Sequence, residues 1–491
     1  MMLSRTLRIV LPIAVVATAL LAPTSAHATL VGMESNRELV NTTQSAQDQD
    51  DALQKMQDQG VQVVRANWRW YEVAGACGGQ SPNQLSKHTN SCYDWSRLDT
   101  LVKGAGKHRM KVLLSLTQNP AWLQPNVPAN IRNFSDPVYY MGSSSRDFNR
   151  TVTHYAAFYK AAASRYRPGT GKGVVHFWTI HNEPNSDFYW GAKPNPARYA
   201  MLYARAAVAV KQGWGGAKVA PGPTGPSGGN GGMKPIPFIK VFQRSVVKYL
   251  PGSMAKKRRY INAWALNPYP GTTTQPSVYN PRVLHKDSIT MGAIDRAFKA
   301  LDAAPITKNT KLWATEFGWQ TAPERDLATS FDKQAQFIAE SFDWLSSKRN
   351  RVELGINYGL SDPEDVENDW QSGTFTNDGR PKKSFAMFQR MISVPQGGLS
   401  GRVRANTKLR VWGRANVNPR GTVISYRILG GKCDKRAAVS GYCKVKGQRA
   451  VPGTSGAKYG YVTVRRGQRL EFATYDKVAK VYGPVRRITV R

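Results

Sequence analysis

At 491 residues the chain is too long for one ordinary domain and suits a barrel-sized domain followed by a smaller one. Lys and Arg total 69 against 32 Asp and Glu, a formal charge of +37 that favours polyanions such as anionic cell-wall polymers, acidic polysaccharide or membrane headgroups. No motif that reads nucleic acid accompanies the charge, and no segment after residue 28 is apolar over a length that spans a bilayer, so neither nucleic-acid binding nor a transmembrane anchor is expected.

Residues 1–28 read as a secretory signal. Arg5 and Arg8 precede an apolar run over 9–22, and Ala26-His27-Ala28 has the small-x-small pattern of a cleavage site. The mature chain is therefore expected outside the cell. A short strand is expected over 29–33, a helix over 45–59, and a strand over 61–65 that leads into Asn67-Trp68-Arg69-Trp70. Next come a helix from Asp94, a strand over 110–116 ending in Thr117-Gln118-Asn119-Pro120-Ala121-Trp122, and a helix over 145–166. The alternation continues with strands over 174–180, 217–220, 260–266, 311–315 and 352–357. The helices between and after them cover 196–212, 236–250, 289–304, 329–347 and 383–392. The Gly/Pro stretch over 221–232 lacks the lysine and helix start of a phosphate loop and reads as a plain loop.

About eight strand-then-helix units predict an α/β fold, a (β/α)8 TIM barrel over 29–397 with long βα loops. A doubly wound open sheet would need a glycine-rich turn after the first strand, and none is there. Past Pro395 the pattern changes to short alternating strands over 409–417, 422–429, 461–464, 469–474 and 487–490. They predict a small all-β sandwich, Ig-like or fibronectin-like, over 398–491. This part is the most basic, with 22 Lys and Arg against 3 acids from Gly401 onward, and attachment to anionic surfaces is its expected role. Four cysteines form two local pairs, Cys77 with Cys92 and Cys433 with Cys443. Export permits disulfides and neither pair has zinc-ligand spacing, so two disulfides are expected and no metal site.

The chemistry concentrates at two strand ends. Val175-His176-Phe177-Trp178-Thr179-Ile180 is an apolar strand that stops at His181-Asn182-Glu183-Pro184, and Lys311-Leu312-Trp313-Ala314-Thr315 delivers Glu316 before Phe317-Gly318-Trp319. In a barrel all strand carboxyl ends meet on one rim, so Glu183 on the fourth strand and Glu316 on the seventh face each other across the mouth. Two facing carboxylates suit cleavage of a glycosidic bond, one as general acid and one as nucleophile. Asn182 is placed for the sugar 2-hydroxyl, Arg65 for holding a carboxylate ionised, and Tyr269 for donating to the nucleophile. Trp68, Trp70, Trp122, Trp190 and Trp319 lie on or just past the rim as candidate platforms for pyranose rings. His176 and His181 read as packing residues, and Lys256-Lys257-Arg258-Arg259 as a solvated loop run.

These residues resemble glycoside hydrolase clan A. Trp178 to Asn185 looks like its acid/base motif and Trp313 to Trp319 like its nucleophile motif, with the closest likeness to family 39-like and family 5-like (cellulase-type) members. Supporting matches are Val64-Arg65, Asn119-Pro120-Ala121-Trp122, Asn267-Pro268-Tyr269-Pro270 and Asp378-Gly379-Arg380-Pro381-Lys382. The resemblance implies a retaining double displacement on a β-linked polysaccharide or oligosaccharide, with Glu183 as acid/base, Glu316 as nucleophile and no cofactor. Two positions depart from the pattern: Asn267 stands where many relatives have His, and Asn357-Tyr358 where family 5 offers a tryptophan platform. A second reading, a carbohydrate-binding or wall-anchored protein on a barrel without turnover, suits the basic tail and is opposed by the intact glutamate pair.

Overall fold

The computed structural model describes residues 29–123, 144–229, 231–270, 277–279, 285–348, 351–366, 370–398, 400–431, 438–439, 441–452 and 456–491. The expected signal and Cys433 lie outside the described residues. Eight strands are β1 (Leu30–Glu34), β2 (Val63–Arg69), β3 (Lys111–Thr117), β4 (Val175–Ile180), β5 (Lys218–Pro221), β6 (Ala263–Leu266), β7 (Lys311–Phe317) and β8 (Val352–Tyr358). Each is followed by a helix: α1 (Ala46–Asp58), α2 (Ser96–Lys107), α3 (Ser145–Arg165), α4 (Pro196–Gly213), α5 (Pro235–Val246), α6 (Asp295–Asp302), α7 (Phe331–Ser346) and α8 (Lys383–Gln389). The strands pair in parallel in the order β5-β4-β3-β2-β1-β8-β7-β6. The backbone bonds Asn262 N to Val219 O (2.9 Å) and Thr224 N to Ala265 O (3.1 Å) close β5 onto β6. The expected (β/α)8 barrel is therefore present.

Local chemistry starts several helices where the sequence says. Ser45 accepts from the Asp48 amide while Asp48 reaches back, a reciprocal cap on α1. Asn195 caps α4 ahead of Pro196, whose missing N–H costs nothing at a first helical position. Side chains alternate along the strands with period two. Val63, Leu113, Phe177, Ala220, Ala263, Ala265, Trp313, Leu354 and Ile356 fill the barrel interior, whereas Val64, Ala66, Trp68, Leu114, Trp178 and Leu312 join the larger layer between strands and helices.

The last helix stops at Gln389, short of Ile392, because residues 390–393 turn extended and form β9 (Arg390–Ser393). Met391 and Ile392 are buried there, and β9 pairs antiparallel with β11 (Lys408–Ala415) of the C-terminal part. That part is a β module of two sheets. In one sheet β11 lies between β9 and β16 (Lys458–Thr463), with β15 (Arg449–Ala450) at its edge. The other runs β10 (Arg402–Val403), β19 (Arg486–Val490), β17 (Arg469–Asp476), β12 (Thr422–Ile428), β14 (Tyr442–Lys444) and β13 (Ala438–Val439). The strand β18 (Val481–Tyr482) pairs with β17. Buried Arg414 donates to Thr29 O (3.1 Å) and Gln62 Oε1 (3.0 Å), at the beginnings of β1 and β2. Arg410 makes two bonds to buried Asp343 of α7 (2.7 and 2.8 Å), which also accepts from Tyr279 and Ser393. The module thus docks where the strands start and along α7, leaving the strand carboxyl ends open.

Cys77 and Cys92 form a disulfide across 15 residues in the loop after β2. Cys443 is also disulfide-bonded.

Candidate active site

The carboxyl ends of β1, β2, β4, β6 and β7 converge on one polar network. Period-two alternation turns Glu34, Arg65 and Asn67 inward, since they share parity with interior Val63 on their paired strands. Arg65 Nη1 donates to Glu34 Oε2 and to Glu316 Oε1, and its Nη2 donates to Asn67 Oδ1 and Asn182 Oδ1, both at 2.9 Å. Tyr269 Oη donates to the other Glu316 oxygen at 2.9 Å. Burial and the charge of Glu316 hold the Tyr269 phenol far above its ordinary pKa, so it stays a donor. Two donors, one of them a cation, therefore aim at Glu316.

Glu316 reaches the network through an irregularity. Strict alternation from interior Trp313 would send Glu316 toward the helices and Phe317 inward. The β7–β8 register shifts between Ala314 and Phe317, Phe317 joins the outer layer, and Glu316 faces the mouth. Bulges of this kind re-aim side chains beside active sites.

Glu183 sits in a different environment. Asn267 Nδ2 donates to Glu183 Oε1 at 2.8 Å, and Thr315 holds Asn267 by donating to its Oδ1 at 2.9 Å. Burial, reinforced by the charge of Glu316, pushes the Glu183 carboxyl up to about 7 against the pull of Asn267 and Arg65. One carboxyl that keeps its proton near neutrality beside one held by a cation is the asymmetry acid–base chemistry needs. The backbone at Glu183 has φ 40° and at His181 φ 70°, left-handed conformations costly for non-glycine residues and concentrated at functional sites.

The loop after β5, expected to be plain, is part of this site. Asn185 Oδ1 accepts from the Gly225 amide (2.8 Å), and Asn185 Nδ2 donates to Gly225 O (3.2 Å) and Met233 O (3.0 Å). A Cβ on Gly225 would lie 2.7 Å from Glu183 Oε2, so any larger residue there would press on the carboxylate.

A cavity of ≈660 Å³ opens beside the network, lined among others by Asn67, Arg69, Asn182, Tyr189, Tyr358 and Trp370. Tyr358 and Trp370 border Tyr269, with ring centroids 6.2 and 4.4 Å away. The loop that carries Trp370 is tied down by buried Lys382, whose Nζ donates to Asp362 (2.7 Å) and Thr321 (2.8 Å).

The structure brings Arg65, Asn182, Glu183, Asn267, Tyr269, Glu316 and Tyr358 together, and it does not bring the tryptophans with them. Trp68 and Trp319 are 1% and 0% exposed in the layer outside the barrel. Trp68 has the parity of Val64 and Ala66, so its ring faces the helices. Trp70 and Trp190 are likewise core, and Trp122 donates to Ala74 O (2.7 Å) while packing edge-on against Trp70. Sequence reasoning missed Glu34, Asn67, Gly225 and Trp370. Glu34 carried the same signal as the two chosen glutamates, an acid at a strand's end. Trp370, far along an irregular loop, carried none.

The Cellulase family (glycosyl hydrolase family 5) matches residues 22–211. No curated protein sequence matches the chain. Among solved structures, the fold is similar to a family 39 glycoside hydrolase from the gut symbiont Bacteroides cellulosilyticus WH2, at 14% identity and TM-score 0.53 over 89% of this chain and 81% of that one. It is also similar to a glucosidase from Croceicoccus marinus (15%, TM-score 0.51, 79% and 77% covered) and a GH39 β-xylosidase from Caulobacter crescentus (15%, TM-score 0.50, 82% of each). The chain is thus similar to family 5 glycosyl hydrolases over residues 22–211 and shares its barrel fold with glycoside hydrolases of solved structure.

Proposed function

We propose that the protein is an exported, retaining hydrolase of a β-linked glycan, with Glu183 as acid/base and Glu316 as nucleophile. The observation that carries this reading is the unequal treatment of the two glutamates around one mouth. Glu183 is held near neutrality by burial and by the charge of Glu316, whereas Glu316 receives Arg65 and Tyr269. Glu183 protonates the leaving oxygen while Glu316 attacks the anomeric carbon, and Glu183 then takes a proton from the water that releases the sugar. Asn182, fixed by Arg65, is positioned to meet the sugar 2-hydroxyl. Tyr358 and Trp370 offer ring faces to the substrate in place of the buried tryptophans.

The Cys77–Cys92 disulfide supports an oxidising destination, in keeping with a cleaved signal over 1–28. Residues 29–397 would form the catalytic part. Residues 398–491, which recruit β9, would form a basic accessory part that holds the enzyme on anionic surfaces, and its docking away from the mouth leaves both functions compatible.

Glu316→Ala should abolish sugar release from the β-glucan, mannan or xylan that the wild type cleaves, and azide should restore part of the turnover as a glycosyl azide. Undiminished release by the variant rejects the assignment, and binding of glycan without any release by the wild type favours a carbohydrate-binding protein.

A further inference from the structure

With Glu316 read as the nucleophile, a reading on which this inference rests, one acid in the network has no step of its own. Glu34 is fully buried. Its Oε1 accepts from Asn36 and Asn67, each at 2.8 Å, and its Oε2 accepts from Arg65 Nη1, the same nitrogen that donates to Glu316. Arg65 Nη2 is committed to Asn67 and Asn182. One buried cation therefore serves two carboxylates through one nitrogen. Burial, opposed by Arg65 and reinforced by the charge of Glu316, pushes the Glu34 carboxyl up to about 8, so Glu34 takes a charge most readily once Glu316 has lost its own.

The reaction changes this balance. In the first step a bond forms between a Glu316 oxygen and the anomeric carbon. The glycosidic C–O bond breaks, and the leaving oxygen takes the bonding pair and the proton of Glu183. Glu316 is now a neutral ester. In the second step a water oxygen attacks the anomeric carbon, its proton passes to Glu183, and the ester bond returns its electron pair to Glu316. Between the steps Arg65 would be a buried cation without a counter-charge if Glu316 were its only partner, a costly state. We propose that Glu34 is the reserve counter-charge of Arg65, a positioning residue that neutralises the guanidinium while Glu316 is esterified.

The test starts with a double-mutant cycle that needs no knowledge of the sugar. Glu316→Gln imitates the uncharged ester. If the two acids are alternative counter-charges, E34Q and E316Q alone each leave Arg65 one partner, and E34Q/E316Q lowers the urea midpoint by more than the two single losses added. An additive cycle overturns the proposal. The kinetic half uses aryl glycosides of the sugar the wild type releases. In E34Q Arg65 is left without a counter-charge as Glu316 is esterified, so kcat/KM should fall about tenfold or more. Hydrolysis of the 2-deoxy-2-fluoroglycosyl enzyme should not slow, because departure of Glu316 is favoured. Equal slowing of both steps marks a merely structural residue and also overturns it. Failure of the azide rescue of E316A would instead remove the hydrolase reading while leaving the shared cation intact, so the two failures are separable.

Discussion

Replacing Gly225 by alanine tests the placement of the acid more directly than removing the acid itself. The backbone at Gly225 is not among the left-handed glycines, so alanine fits its conformation. The new methyl carbon would lie 2.7 Å from Glu183 Oε2, 2.9 Å from Cδ and 3.2 Å from Oε1, and no closer to anything else. Restoring an ordinary contact of 3.4 Å moves the carboxylate by about 0.7 Å. It also strains its 2.8 Å bond from Asn267. A displacement of 1 Å at a reacting group costs about a hundredfold, so kcat should fall by roughly 10- to 100-fold. Because the displaced group is the proton donor of the first step, the loss in kcat/KM should be large for methylumbelliferyl glycosides and small for dinitrophenyl glycosides, whose leaving group needs little protonation. Stability should fall by roughly 1 kcal/mol, because crowding the buried carboxyl outweighs the restriction of the unfolded chain. A G225A enzyme whose kcat/KM stays at the wild-type value for both leaving groups, or falls equally for both, would refute the placement of Glu183 as acid.

The pH profile follows from Glu183, whose carboxyl is raised from 4.5 to about 7 by burial first and by Glu316 second. The protonated form is the active acid, so kcat/KM should decline as pH rises through about 7. Asn267→Ala removes a bond to the carboxylate form and should shift that decline to higher pH; a downward shift contradicts the assignment. The same raised group binds a proton in the folded chain that the unfolded chain has released, so its contribution to stability is complete below pH 4.5 and is lost as pH rises through about 7. Trp370→Ala should raise KM by about tenfold with a smaller effect on kcat, as expected for loss of about 1.4 kcal/mol of ring contact. An unchanged KM removes Trp370 from the substrate path. Arg410→Ala leaves Asp343 buried without its cation and should lower the free energy of unfolding in urea by about 3 kcal/mol, with kcat unchanged because the contact is remote from the mouth.

The order of elements and the two glutamates were legible in the chain because they are local facts. An apolar β-branched run followed by Asn-Glu-Pro or Thr-Glu-Phe-Gly specifies a strand and what stands at its end, and eight strand-then-helix units, four of whose helices open on a capping side chain, leave few folds open. Glu34 was equally local and was passed over. The side each residue faces was decided elsewhere. Trp68 stands one residue beyond inward Asn67 and is turned out by the pleat, whereas Glu316 escapes its parity only through the β7–β8 register shift. The approach of the β5 loop to Glu183 at Gly225, the reach of Trp370 to Tyr269, and the sharing of Arg65 by acids 282 positions apart in sequence all depend on strand neighbours brought side by side by barrel closure. Sequence pattern determines what each strand carries to the rim. Pairing register and loop packing, which are properties of two or more segments at once, determine which of those groups meet.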